Sequence, residues 1–162
     1  MLCKRIIACL DVRDGSVVKG INFKGLRTAG DPAELSRRYN SEGIDEIVIL
    51  DVTATIENRK ALALTIEAVS NEIFLPLCVG GGIKDEPTAH AAIEAGADKV
   101  SLNTAAIAKP ELLTDLARRY GSQAVIVAID AKRERGKFAI YARSGQQPTN
   151  RDAVEWAKEA AD

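Results

Sequence analysis

The chain has 162 residues, 46% of them hydrophobic and 28% charged, a composition that excludes disordered and fibrous proteins and suits one soluble globular domain spanning residues 1–162. Twenty-two basic and twenty-three acidic side chains leave a net charge of -1, which gives no broad field for gripping nucleic acid or anionic lipid and favours a small-molecule partner. The apolar runs fall far short of the ~20 residues of a membrane span and no secretory segment opens the chain, so a cytoplasmic protein is expected.

The first predicted strand, Ile6 to Leu10, runs into Asp11. The segment from Val12 to Gly30 carries Gly15, Gly20, Gly25 and Gly30 and reads as a long loop able to fold over a site as a lid. Asp31-Pro32 then opens a helix that stops at Glu42-Gly43-Ile44-Asp45, because aspartate and proline favour a helix start and glycine a helix end. Ile47 to Leu50 is the second strand, ending in Asp51, and Leu62, Ile66, Val69 and Ile73 mark one face of the next helix.

Leu75 to Val79 is the third strand, followed by Gly80-Gly81-Gly82-Ile83. Asp85-Glu86-Pro87 opens a helix that stops at Ala95-Gly96-Ala97-Asp98, repeating the earlier unit of helix, glycine stop and strand. The fourth strand, Val100 to Leu102, leads into Asn103-Thr104, and Leu112, Leu113 and Leu116 form a short helical stripe. The fifth, Val125 to Ile129, leads into Asp130, and Lys137 to Ala142 beyond Gly136 reads as a hairpin extension. Strands without polar alternation, separated by helices, indicate a parallel sheet covered on both faces; a β/α barrel and a doubly wound open sheet share this signature.

Chemistry is expected where the strands end. Asp11, Asp51, Asn103 and Asp130 follow four strands, and in a parallel barrel these ends share one face. Asp11 and Asp130 can serve as proton acceptor and donor, although each could equally cap the following turn. The glycine triplet and the neighbouring Asn103-Thr104 offer backbone N-H groups and short polar side chains suited to a phosphate, whereas a tight turn alone would also explain the glycines. Arg5, Glu46 and Lys99 stand at strand starts, where spacing alone favours ordinary solvated ends. Cys3, Cys9 and Cys78 have no paired spacing and His90 is the sole histidine, which is expected on a helix surface; neither a zinc-type metal nor another cofactor is called for.

The runs Lys4 to Val12, Asp14-Gly15, Val17 to Gly20, Asn22-Phe23 and Ala29 to Pro32 resemble the cyclase subunit of imidazole glycerol phosphate synthase. Val79 to Ile83, Ala95 to Ser101, Gly121 to Gln123 and Val127 to Lys132 extend the resemblance along the whole chain. It implies a (β/α)8 barrel enzyme of histidine biosynthesis, a lyase that combines ammonia with a phosphoribulosyl-formimino aminoimidazole carboxamide ribonucleotide. The products would be imidazole glycerol phosphate and aminoimidazole carboxamide ribotide. It further implies that Asp11 and Asp130 are the acid/base pair, that Lys19 is a lid lysine near the substrate, and that Gly82, Asn103 and Thr104 hold one phosphate. Arg5, Glu46 and Lys99 would belong to a gate admitting ammonia from a glutaminase subunit, the expected partner, with Asp98 near that interface.

The resemblance also implies that the chain holds only about five βα units and ends in or near the fifth helix, and is therefore expected to be incomplete for activity. Two other readings stay open. One is the related phosphoribosyl-formimino aminoimidazole carboxamide ribotide isomerase, against which the Cys9-Leu10-Asp11 opening and the Arg5, Glu46 and Lys99 set speak. The other is a non-catalytic partial-barrel assembly module.

Overall fold

In the computed structural model, residues 3–21, 24–52, 59–134 and 136–161 are described. They gather into two compact units, Met1–Ile83 with Pro87–Val100, and Lys84–Glu86 with Ser101–Asp162.

The first unit is built on parallel strands. β1 (Ile7–Arg13) pairs with β4 (Glu46–Asp51), which pairs with β5 (Leu77–Gly80). In this register Leu10 and Ile49 lie side by side, as do Ile47 with Leu77 and Ile49 with Val79, and all are buried. Side chains alternate along a strand, so Ile7, Cys9 and Asp11 share the opposite face with Glu46, Val48, Leu50, Cys78 and Gly80. That face is more open than the apolar runs suggest: Ile7 is 45% exposed and Cys9 is also exposed.

The helices follow their signals. Asp31 caps α1 (Pro32–Ser41) by accepting the Glu34 N-H at 2.9 Å, and Gly43 beyond its end has a φ of +83°. α2 (Arg59–Ser70) buries Ile66 and Val69; Ile73 is buried too, but lies beyond the helix. α3 (Glu86–Glu94) carries the half-buried His90.

The glycine-bearing segment after β1 is not a loop. β2 (Ser16–Ile21) returns antiparallel against β1, and β3 (Lys24–Gly30) pairs with β2. Asp14 and Gly15 make the two-residue turn with φ of 50° and 76°, the left-handed pair that matches the twist of a hairpin. Asn22 and Phe23 lie outside the described residues.

β6 (Lys99–Leu102) begins in the first unit and ends in the second, where the Leu102 carbonyl accepts the Ala128 N-H at 2.8 Å beside β7 (Val125–Val127). After the short α4 (Thr104–Ala108), α5 (Glu111–Tyr120) buries the Leu112, Leu113 and Leu116 stripe. The expected hairpin is larger. β8 (Asp130–Glu134), β9 (Lys137–Ala142) and β10 (Gln147–Asp152) form an antiparallel sheet, and Asp152 caps α6 (Ala153–Glu159), whose Trp156 is buried.

The architecture is therefore mixed α/β, and parallel β1, β4 and β5 follow one another as consecutive units of a (β/α)8 barrel do. No described helix is long and apolar enough to cross a membrane.

Candidate active site

In the first unit, Asp11 lies inside β1 rather than after it, half-buried and beside Leu50 of β4. Burial raises its carboxyl above the ordinary carboxylate range. The same effect, with the charge of Asp11 added, raises the Cys9 thiol two residues back on the same face. Cys78 is pushed up to about 11, by burial first and then by Glu46, with Lys99 acting in the opposite direction and Cys9 adding to the rise. These thiols are free and protonated at neutral pH.

Asp51 does not join Asp11. Its register partner is Val12, which is 3% exposed, so Asp51 is one residue out of phase and directed to the opposite face. Within the first unit the expected pairing of Asp11 with Asp51 at one face is not formed, because the second strand extends one residue further than its apolar run.

At the other end of the Asp11 face, Glu46 is 2% exposed. One carboxylate oxygen accepts from Arg5 Nη1 at 2.9 Å and the other from Lys99 Nζ at 2.7 Å. Ordinary solvated strand ends, the reading that spacing favours, do not describe this cluster: a buried carboxylate holds two cations from neighbouring strand starts. Asp98, next to Lys99, is exposed, and its side chain accepts the Leu77 N-H at 2.8 Å.

The glycine triplet divides into distinct roles. Gly80 closes β5, and a Cβ on Gly81 would sit 2.1 Å from the Asp51 carbonyl oxygen. Gly82 has a φ of +70°, and a Cβ there would meet nothing within 4 Å. Open space at Gly82 leaves its backbone approachable, as an anion requires. Lys19 is exposed on β2, with Arg27 of β3 as its register partner.

In the second unit, Asn103 follows β6 and donates from Nδ2 to Asp130 Oδ2 at 2.9 Å. Asp130 is the first residue of β8, half-buried, with Tyr141 as its register partner. Thr104 opens α4, and its hydroxyl oxygen accepts the Arg143 N-H at 2.9 Å. Arg143 and Ser144 both have positive φ, 51° and 54°, in the turn between β9 and β10. The contact of Arg143 with Thr104 has one signal in the sequence, the turn-forming Ser144-Gly145. Among the described residues, no group of three or more histidine, cysteine or acidic side chains is placed to hold a metal.

A family model described as a histidine biosynthesis protein matches residues 5–162. Among curated relatives, imidazole glycerol phosphate synthase subunit HisF of Dehalococcoides mccartyi is 53% identical over 160 residues, covering 99% of this chain and 63% of the relative. The proteins of the same name from Chlorobaculum tepidum and Prosthecochloris aestuarii are each 55% identical over 157 residues, covering 97% of this chain and 62% of the relative. The chain thus spans somewhat less than two thirds of the length of these relatives.

Proposed function

The chain belongs to the histidine biosynthesis protein family, and from that premise we propose that it carries the cyclase chemistry of imidazole glycerol phosphate synthase. The reaction adds ammonia to a phosphoribulosyl-formimino aminoimidazole carboxamide ribonucleotide, closes the imidazole ring and releases aminoimidazole carboxamide ribotide. Asp11 and Asp130 exchange the protons. A carboxyl raised by burial, as at Asp11, holds its proton more readily than a solvated one and is therefore better suited to take up and return a proton. Gly82, Asn103 and Thr104 are the proposed holders of one substrate phosphate, and Lys19 approaches the substrate from the β2 strand.

The observation that carries the cyclase over the related isomerase is the Arg5, Glu46 and Lys99 cluster. An isomerase has no use for an ordered charged group at the end of the strands remote from Asp11. A cyclase supplied with ammonia by a partner does. We assign this cluster to a gate facing a glutaminase subunit, with Asp98 at the edge of that contact, in a cytoplasmic two-subunit synthase.

The test is turnover of the cyclase substrate by the full-length chain, first with free ammonia at high pH and then with glutamine and the glutaminase subunit. Release of aminoimidazole carboxamide ribotide in both is expected, and Lys99→Ala should reduce the glutamine-driven rate more than the ammonia-driven rate. Equal losses would remove the gate, and isomerisation of the phosphoribosyl precursor without ammonia use would replace the cyclase.

A further inference from the structure

Asn103 stands at the N-cap position of α4, yet its side chain makes no cap hydrogen bond, and its backbone has φ -126° and ψ -86°. The usual local use of an asparagine at a helix start is given up. Its Nδ2 goes instead to Asp130 Oδ2, across the neighbouring strand ends that the Leu102 and Ala128 backbone bond holds in register.

The other end of the amide is as informative. Asn103 Oδ1 is buried and has no hydrogen-bond partner. Such an orphaned acceptor is unfavourable, and turning the amide over would be worse while Asp130 presents only acceptor oxygens, because Oδ1 would then face a carboxylate. The carboxylate therefore sets the amide's orientation, and the amide in turn fixes the rotation of the carboxylate. Oδ2 is tied down, and Oδ1 of Asp130 is presented in one direction.

The adjacent residue has a different environment. Thr104 is exposed, and the Arg143 N-H occupies its hydroxyl oxygen as acceptor, leaving the O-H free to donate. Neighbouring side chains thus divide the labour. We infer that the Asn103 side chain is a positioning residue that holds Asp130 for proton exchange, so that Asn103 serves the proposed phosphate site through its backbone N-H and not through its amide. The phosphate is left to the Thr104 hydroxyl and nearby backbone N-H groups. This inference rests on the reading of Asp130 as an acid/base group.

Two measurements on the full-length chain test it. With isotope-labelled asparagine, the Asn103 side-chain amide resonance, assigned through Asn103→Leu or Asn103→Ser, should move when Asp130 is changed to Ala. It should stay in place when inorganic phosphate is added. In ammonia-dependent turnover, Asn103→Leu should lower kcat at least ~10-fold with KM kept within about 3-fold, the pattern of a lost transition-state interaction rather than of lost binding. A raised KM with kcat preserved, or an amide resonance indifferent to Asp130→Ala, would overturn the inference. If Asn103→Leu does not fold, Asn103→Ser supplies the kinetic comparison. A wild-type protein without cyclase turnover would remove the cyclase reading, while the amide measurement would still decide whether Asn103 and Asp130 are paired.

Discussion

Asp98 engages Leu77 at both of its backbone polar groups: the side chain accepts the Leu77 N-H at 2.8 Å, and the Asp98 N-H donates to the Leu77 carbonyl at 2.9 Å. Asp45 treats Ile6 identically, at 2.6 Å and 2.9 Å. The repeated glycine-to-aspartate joint is therefore a strand clamp, in which the carboxylate satisfies an N-H at the edge of the parallel ladder. Asp45→Ala and Asp98→Ala should each cost up to about 1.5–3 kcal/mol in urea unfolding, the range for a bond to a charged acceptor. Asn at either position, which keeps an acceptor oxygen, should cost less. An unchanged midpoint for both alanine variants would mean that the clamps add nothing. For Asp98 the comparison also separates a stability effect from any loss of partner binding.

The glycines after β5 should respond unequally. Gly81→Ala places a Cβ 2.1 Å from the Asp51 carbonyl oxygen at a φ of +80°, so strand ends must move apart, and loss of the folded state is expected. Gly82→Ala meets nothing within 4 Å and carries only the left-handed backbone penalty, about 1–2 kcal/mol. Thermal unfolding of both variants measures this difference, and similar losses would refute the division of the triplet into a packing glycine and an approachable one.

Glu46 should dominate its cluster. Its side chain is 2% exposed, against 62% for Arg5 and 21% for Lys99. Arg5→Ala should change stability by no more than about 1 kcal/mol, as for an exposed ion pair. Lys99→Ala removes the better-buried partner and should cost more, up to the ~3 kcal/mol at the lower end for breaking a buried pair. A larger loss from Arg5→Ala than from Lys99→Ala in chemical denaturation would reverse this order.

How much of this was legible in the sequence can be judged residue by residue. Asp31, Gly43 and the Leu112 stripe act as their local chemistry dictates, because a cap or a helix face involves residues within one or two turns. The Asp14-Gly15 turn is equally local, but the many later glycines suggest a loop and mask β2, which holds Val17 and Val18, and its partner β3. Asp51 was misplaced for a non-local reason. Whether a strand-end side chain faces the site depends on its phase with the neighbouring strand, and only the pairing of Val12 with Asp51 reveals it. Asn103 was located correctly, but its partner could not be read, since 27 residues separate it from Asp130.

Burial raises the Asp11 carboxyl above its ordinary value. A folded-state value above the unfolded one means that the group's contribution to stability is fully present at pH below the unfolded carboxyl value. It is lost as pH rises through the folded value, because the unfolded chain releases the proton first. Above the unfolded value the burial of the Asp11 carboxyl therefore opposes folding. Asp11→Asn removes that opposition and should raise the melting temperature at pH 7, with the gain shrinking toward pH 3, where the wild-type carboxyl is also neutral. If Asp11 exchanges a proton in the proposed cyclase reaction, the same substitution should lower turnover at least ~100-fold. A more stable and nearly inactive variant is the expected outcome, since a group held for chemistry in an unfavourable setting gives up stability. Paired melting curves across this pH range check it, and a variant equally destabilised at pH 7 and pH 3 would contradict the burial argument.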